Sequence, residues 1–180
     1  MSREFSVDFS ALIYGSLVNS LLEMTEDVNE VNSKLDEIGY RIGLRLAHEF
    51  AREKNLERVD TAEKLIKDVL IKNWQTIAGK NSSSRADYTK QNENTFVMTF
   101  QPSIFTEYVT IPELYNGIQY TAMLPGALKG IFEIFHYEAE VTLLPSQETP
   151  NQTSGTQKKP TEVKIVITKE IPIAVPKDED

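Results

Sequence analysis

The stretch DVNEVNSKLDEIGYRIGLRLAHEF, residues 27–50, decides the fold class. Val28, Val31, Leu35, Ile38, Ile42, Leu46 and Phe50 recur at steps of three and four. That is the period of an α-helix, so one face stays apolar over about seven turns, and Leu44 widens it. Asp27 with Glu30 three residues on has the pattern of a capping box and marks the start. Gly39 and Gly43 stand four apart on the same helix. Each costs up to about 1 kcal/mol of helix propensity. A packing gain should offset that cost, and a small-residue pair is what lets another backbone approach closely.

On the N-terminal side, Phe9, Leu12, Ile13, Leu17, Leu21 and Leu22 keep helical spacing over residues 8–24, with Gly15 tolerated inside. On the C-terminal side, Asp60 followed by Glu63 predicts a third helix that buries Leu65, Ile66, Val69, Leu70, Trp74 and Ile77 and closes near Gly79. Residues 80–94 have no periodicity and read as a polar loop. The period then changes: residues 95–100 and 106–111 are short, β-branched and aromatic, and predict two antiparallel strands around Gln101-Pro102-Ser103.

A fourth helical stretch covers residues 116–137. Pro125 inside it predicts a kink or a first-turn position, and Gly126 with Gly130 repeats the four-residue small spacing. Residues 138–144 and 161–168 read as two more strands, separated by a polar insertion at 145–160 that reads as disordered. Residues 171–180 read as an extended tail, because Pro172 and Pro176 cannot sit in a central strand. The order of elements predicts an α+β domain over residues 1–170, a small antiparallel sheet covered on one face by helices.

Composition narrows the function. The 180 residues carry 19 Lys+Arg against 27 Asp+Glu, a net charge of −8, and the densest basic run is Lys158-Lys159. Such a surface repels phosphate backbones and anionic lipid, so no nucleic-acid partner is expected and membrane contact should come only through partners. Zero cysteines exclude a disulfide framework, a thiolate nucleophile, a thiolate zinc site and thioester lipidation. No signal-peptide pattern, membrane-length apolar run or myristoylation glycine is present, which makes a cytoplasmic protein the expectation.

Candidate chemistry is thin. His48 and His136 lack a partner cluster at ligand spacing, so packed or surface histidines are expected, with no metal and no cofactor. Gly79-Lys80 fails as a phosphate loop, with Trp74 and Asn81 where the motif needs Gly and Ser or Thr. No Gly-x-Ser-x-Gly occurs, and the carboxylates Asp36, Glu37, Glu133, Glu138 and Glu140 read as solvated charges. No catalytic residue is expected. What remains is apolar helix surface: either the sheet and neighbouring helices bury all of it, or part faces another subunit across an interface on the order of 2,000 Å2.

These segments resemble the Bet-three family, the small subunits at the core of TRAPP, the transport protein particle that tethers vesicles and activates Rab GTPases. The resemblance is carried by Leu12-Ile13-Tyr14-Gly15-Ser16-Leu17-Val18, by Asp27-Val28-Asn29 leading to Ile38-Gly39-Tyr40-Arg41-Ile42-Gly43-Leu44-Arg45-Leu46, and by Glu49-Phe50-Ala51-Arg52. Further on it is carried by Gly126-Ala127-Leu128-Lys129-Gly130-Ile131-Phe132-Glu133, and by Thr161-Glu162-Val163-Lys164 with Glu170-Ile171-Pro172-Ile173. It implies a four-stranded antiparallel sheet packed against four to five helices that pair with partner subunits, with Gly39, Gly43, Gly126 and Gly130 as subunit-interface or close-packing candidates.

It also implies a heteromeric complex that exchanges GDP for GTP on a Rab in ER-to-Golgi transport, peripherally at those membranes. The C-terminal tail would reach the Rab, here through Ile171, Pro172, Ile173, Asp178, Glu179 and Asp180. A frayed solubilising end explains the same tail. In the family an acyl chain on a cysteine after the second helix fills an apolar channel. The matching stretch, residues 55–59, has no cysteine, so side chains or a free lipid would fill that channel. The alternatives are a sister subunit with a purely scaffolding role, and a small-molecule or lipid sensor of the same superfamily, which includes vinyl-reductase-like and haem–nitric-oxide domains.

Overall fold

The computed structural model of the chain describes residues 7–25, 27–54, 59–74, 84–101, 113–115, 117–145 and 160–172. The helices are α1 (Val7–Met24), α2 (Val28–Lys54), α3 (Ala62–Lys64, continuing as π-helical turns over Leu65–Ile71) and α4 (Met123–Ile134), with a 3-10 turn at Glu113–Tyr115. The strands are β1 (Arg85–Asn92), β2 (Thr95–Gln101), β3 (Tyr137–Leu143) and β4 (Thr161–Glu170). They form an antiparallel sheet in the order β1-β2-β4-β3, and the fold is α+β as expected.

Strand alternation sorts the two faces of the sheet. Phe96, Met98 and Phe100 of β2, Val163, Ile165 and Ile167 of β4, and Tyr137 and Val141 of β3 are buried. Together with Ala47 and Phe50 of α2, the inner side of α3, Trp74, and Leu124, Leu128, Ile131 and Phe132 of α4 they make the main core. A second cluster joins α1 to the first half of α2 and the approach to α4 through Tyr14, Val18, Leu21, Val31, Leu35, Ile118, Tyr120 and Ala122.

Two expectations about strands change. Residues 85–92, read as loop, are β1: Ala86 and Tyr88 are half-buried while Arg85, Asp87 and Thr89 are exposed, the alternation of a strand whose outward face is solvated. β2 is bonded to β1 on one side and β4 on the other, and residues 106–111, expected as a strand beside it, lie outside the described residues. The insertion 146–159 also lies outside them, and its flanks are the paired strands β3 and β4.

Helix ends differ in detail. Asp27 Oδ1 accepts from Asn29 N at 2.9 Å, while Glu30 turns to the Thr25 hydroxyl, which donates to it at 2.7 Å, and to Lys34 at 2.6 Å, so only half of the capping box forms. α3 is capped by Thr61, whose hydroxyl accepts from Lys64 N at 3.2 Å; Asp60 instead pairs with Lys64 Nζ at 3.0 Å. The residues before α4 form turns, and α4 starts later than predicted, with Pro125 in its first turn where an amide N–H has no intrahelical partner to lose. His136 takes φ 66° and turns the chain from α4 straight into β3.

Candidate partner-binding surfaces

The apolar stripe of α2 splits on folding. Its fully buried line is Val31, Leu35, Gly39, Gly43, Ala47 and Phe50, whereas Ile38, Leu44 and Leu46 are half-buried and Ile42 is 39% exposed. The glycines explain the offset. A Cβ on Gly39 would stand 2.0 Å from the Met123 carbonyl oxygen, and one on Gly43 would stand 2.0 Å from that of Ala127. Across the contact, a Cβ on Gly126 would meet the Asp36 oxygen at 1.9 Å and one on Gly130 the Tyr40 oxygen at 2.3 Å. Both helices advance by four residues together, so α2 and α4 run parallel here with each backbone seated on the other's glycines. Carbonyls over glycine Cα atoms have the arrangement of Cα–H···O contacts at close helix pairs.

Polar bonds flank the glycine seam. Lys129 Nζ donates to both oxygens of Asp36 at 3.0 Å, and the Tyr40 hydroxyl donates to Glu133 at 2.6 Å, which raises the Tyr40 pKa because ionisation would break that bond. All four glycines named from sequence thus meet inside one chain.

α1 is docked by its inner side. The buried Tyr14 hydroxyl donates to the Tyr120 carbonyl at 2.6 Å, the two rings meet edge-on at 4.9 Å, and burial pushes the Tyr14 pKa well above its usual value. Asn32 of α2 clasps the same region, donating to the Gly117 carbonyl at 3.1 Å and accepting from Gln119 N at 2.8 Å. Sequence reasoning missed Asn32 and Tyr120, because pairs separated by some 85 to 106 positions leave no periodic signal.

The outer side of α1 is unusual. Leu12 is 69% exposed, Ile13 56% and Met24 75%, and the helix carries only Asp8 and Glu23 as charges. An exposed helix face with large apolar side chains and few charges has the composition of an interface core.

At the end of the sheet where β3 begins and β4 ends, Asp60, Glu63, Lys90 and Lys169 wall a groove of about 450 Å3 over Phe96 and Tyr137. Lys90 bonds Glu63 at 2.6 Å, which lowers the Glu63 pKa and raises its own. β4 ends here, and Ile171 N donates to the His136 carbonyl at 2.7 Å, anchoring the root of the tail. Ile171 is half-buried and Pro172 exposed; Ile173, Asp178, Glu179 and Asp180 lie outside the described residues.

Both histidines are exposed, so neither reaches the interior as an axial ligand, and a haem does not fit this core. Among the described residues, no three His, Cys, Asp or Glu side chains group to hold a metal ion, and no helix is long and apolar enough to cross a membrane.

Comparison with known proteins agrees with this geometry. The fold resembles the I5F mutant of T. tengcongensis H-NOX with a TM-score of 0.52 at 11% identity, covering 93% of this chain and 77% of that one. It resembles more strongly the crystal structure of a trafficking protein particle complex subunit 3 from Naegleria fowleri covalently bound to palmitic acid, with a TM-score of 0.70 at 19% identity over 93% of this chain and 98% of that one. In sequence, the chain is 32% identical over 141 residues to the trafficking protein particle complex subunit 3 homolog of Caenorhabditis briggsae, spanning 76% of each. The model of the family described as Transport protein particle (TRAPP) component matches residues 10–167. With the paired glycine seam, the four-stranded sheet and the sequence match all pointing one way, the chain belongs to the TRAPP component family.

Proposed function

We propose that the chain is a non-catalytic core subunit of a TRAPP complex that tethers vesicles and promotes GDP–GTP exchange on a Rab GTPase in ER-to-Golgi transport. It works in the cytoplasm and meets Golgi and ER–Golgi membranes through its partners. The observation that carries the reading is the outer side of α1, where Leu12, Ile13 and Met24 stand exposed on a helix whose inner side is already satisfied. A second subunit covering that face would remove the apolar surface from water, at about 25 cal/mol per Å2. The tail is the proposed Rab contact. It leaves the sheet at an anchored Ile171, and two prolines reduce the entropy lost on binding.

The test is reconstitution of the chain with other small TRAPP subunits, followed by nucleotide release from a Rab with and without residues 171–180. The reading expects a stable heteromer that accelerates release and a loss of acceleration on truncation. Failure to form a complex overturns it.

A further inference from the structure

The groove where β3 begins and β4 ends is held open by bonds between its walls. Four segments meet there: the start of α3, the β1–β2 turn, the end of β4 and the first residue of β3. Ile167 N donates to the Asn94 carbonyl at 2.8 Å, and the Tyr137 hydroxyl donates to the Val59 carbonyl at 3.3 Å. Glu63 fastens α3 to β1, accepting from the Tyr88 hydroxyl at 3.2 Å and from Lys90 Nζ at 2.6 Å. A volume of about 450 Å3 falls in the range of ligand-binding clefts.

The charges in the groove do not cancel. Asp60, Glu63, Glu93 and Glu170 line it against two lysines, Lys90 and Lys169. Asp60 is paired with Lys64 at 3.0 Å, Glu63 with Lys90, and Lys169 with Glu138 at 3.5 Å. Glu93 and Glu170 are exposed and have no ion pair or hydrogen bond among the described residues, although Glu93 attracts Lys90 at longer range. Two uncompensated carboxylates in a concave site focus a negative potential there, which favours a cationic ligand.

The groove already holds one cation of its own. Lys90 Nζ lies 5.8 Å from the centre of the Phe96 ring while Glu63 meets its charge. Phe96, Tyr137 and Ile167 give the cleft an apolar floor, and a lysine or arginine has the matching form, an aliphatic stem that packs on such a floor and a charged head that reaches a carboxylate at the rim. The Asn94 side-chain amide also lines the groove without a hydrogen bond among the described residues, and it offers a donor and an acceptor to a peptide group.

We propose that this groove is a docking site for a basic segment of a partner polypeptide, with an arginine or lysine stem laid along the apolar floor and its charge held by Glu93 and Glu170. The site uses other elements than the outer side of α1, so it adds a second contact surface and does not depend on the TRAPP reading.

The test is an NMR titration of the isotope-labelled full-length chain with a blocked hexapeptide carrying two arginines separated by leucine. The comparison peptide has citrulline, the neutral isostere, in place of both arginines. Saturable shifts are expected at the amides of Asn94, Phe96, Thr168 and Lys169. The citrulline peptide should bind about fivefold to tenfold more weakly, and Glu93→Gln with Glu170→Gln should weaken the arginine peptide by the same factor. Glu140→Gln with Glu162→Gln removes equal charge from residues that do not line the groove and should leave binding unchanged. No saturable shift at the groove up to millimolar peptide overturns the proposal. Equal weakening by the two double variants also overturns it, because the net charge of −8 would then explain the attraction. Spermidine competing as well as the arginine peptide overturns the assignment to a polypeptide.

Discussion

Gly43 and Gly15 are both helical glycines, yet their surroundings differ. A Cβ at Gly43 falls 2.0 Å from a backbone carbonyl that cannot swing away, whereas one at Gly15 meets only the Tyr120 hydroxyl at 3.4 Å, an ordinary contact. Gly43→Ala should therefore cost about 3 kcal/mol of overpacking, reduced by up to about 1 kcal/mol of helix propensity, for a net loss of about 2 kcal/mol in urea unfolding. Gly15→Ala should leave stability unchanged or raise it by up to about 1 kcal/mol. Equal losses at the two sites would contradict the interlocked seam. Tyr14 makes the other residue-scale prediction. Burial first, and the neighbouring Tyr120 second, raise its pKa above the ordinary tyrosine value of 10.0. Its stabilising contribution is complete below that pH and fades as the pH climbs toward the folded value, because the unfolded chain then loses its proton more readily. Tyr14→Phe should cost about 1–2 kcal/mol at neutral pH through the orphaned Tyr120 carbonyl, and should shrink the loss of stability measured above pH 10.

Among the elements, α1 separates folding from assembly. Leu12 and Ile13 are more than half exposed, so Leu12→Asp with Ile13→Asp should change the melting temperature of the isolated chain little, since such surface changes stay within about 0.5 kcal/mol each. The same pair should abolish recovery of a partner subunit on affinity purification; a doubly substituted chain that still recovers its partner would place the interface elsewhere. The elements also show what was legible in the sequence. α1, α2, β2, β3 and β4 stand close to where their periodicity puts them, because long apolar stripes and β-branched runs leave strong signals. β1 escaped because Arg85-Ala86-Asp87-Tyr88-Thr89-Lys90 is a mostly polar edge strand, and its alternation is carried by one alanine and one tyrosine. The π-helical turns at Leu65–Ile71 left no mark, since Leu65, Ile66, Val69, Leu70 and Trp74 are buried as expected, while Ile77 lies outside the described residues. In α2 the spacing found the helix but not its buried line: it counts Ile38 and Ile42 as core, whereas the contact with α4 runs through glycines that no hydrophobic pattern registers.

For the whole molecule, the sheet and the α2–α4 seam form a closed core, the outer side of α1 is left uncovered, and Ile171 is anchored to His136 where β4 ends. The sequence carried the glycine pairs and the family pattern because both are local. The clasp of Asn32, the Tyr14–Tyr120 bond and the charged groove by Lys90 come from chain segments that meet only on folding. The most direct measurement is affinity purification of the tagged full-length chain from the cells that make it, with mass spectrometry of every co-purifying protein. The account predicts other TRAPP small subunits in near-stoichiometric amounts, lost on Leu12→Asp with Ile13→Asp. A chain that emerges as a monomer, with no TRAPP subunit bound, would contradict it.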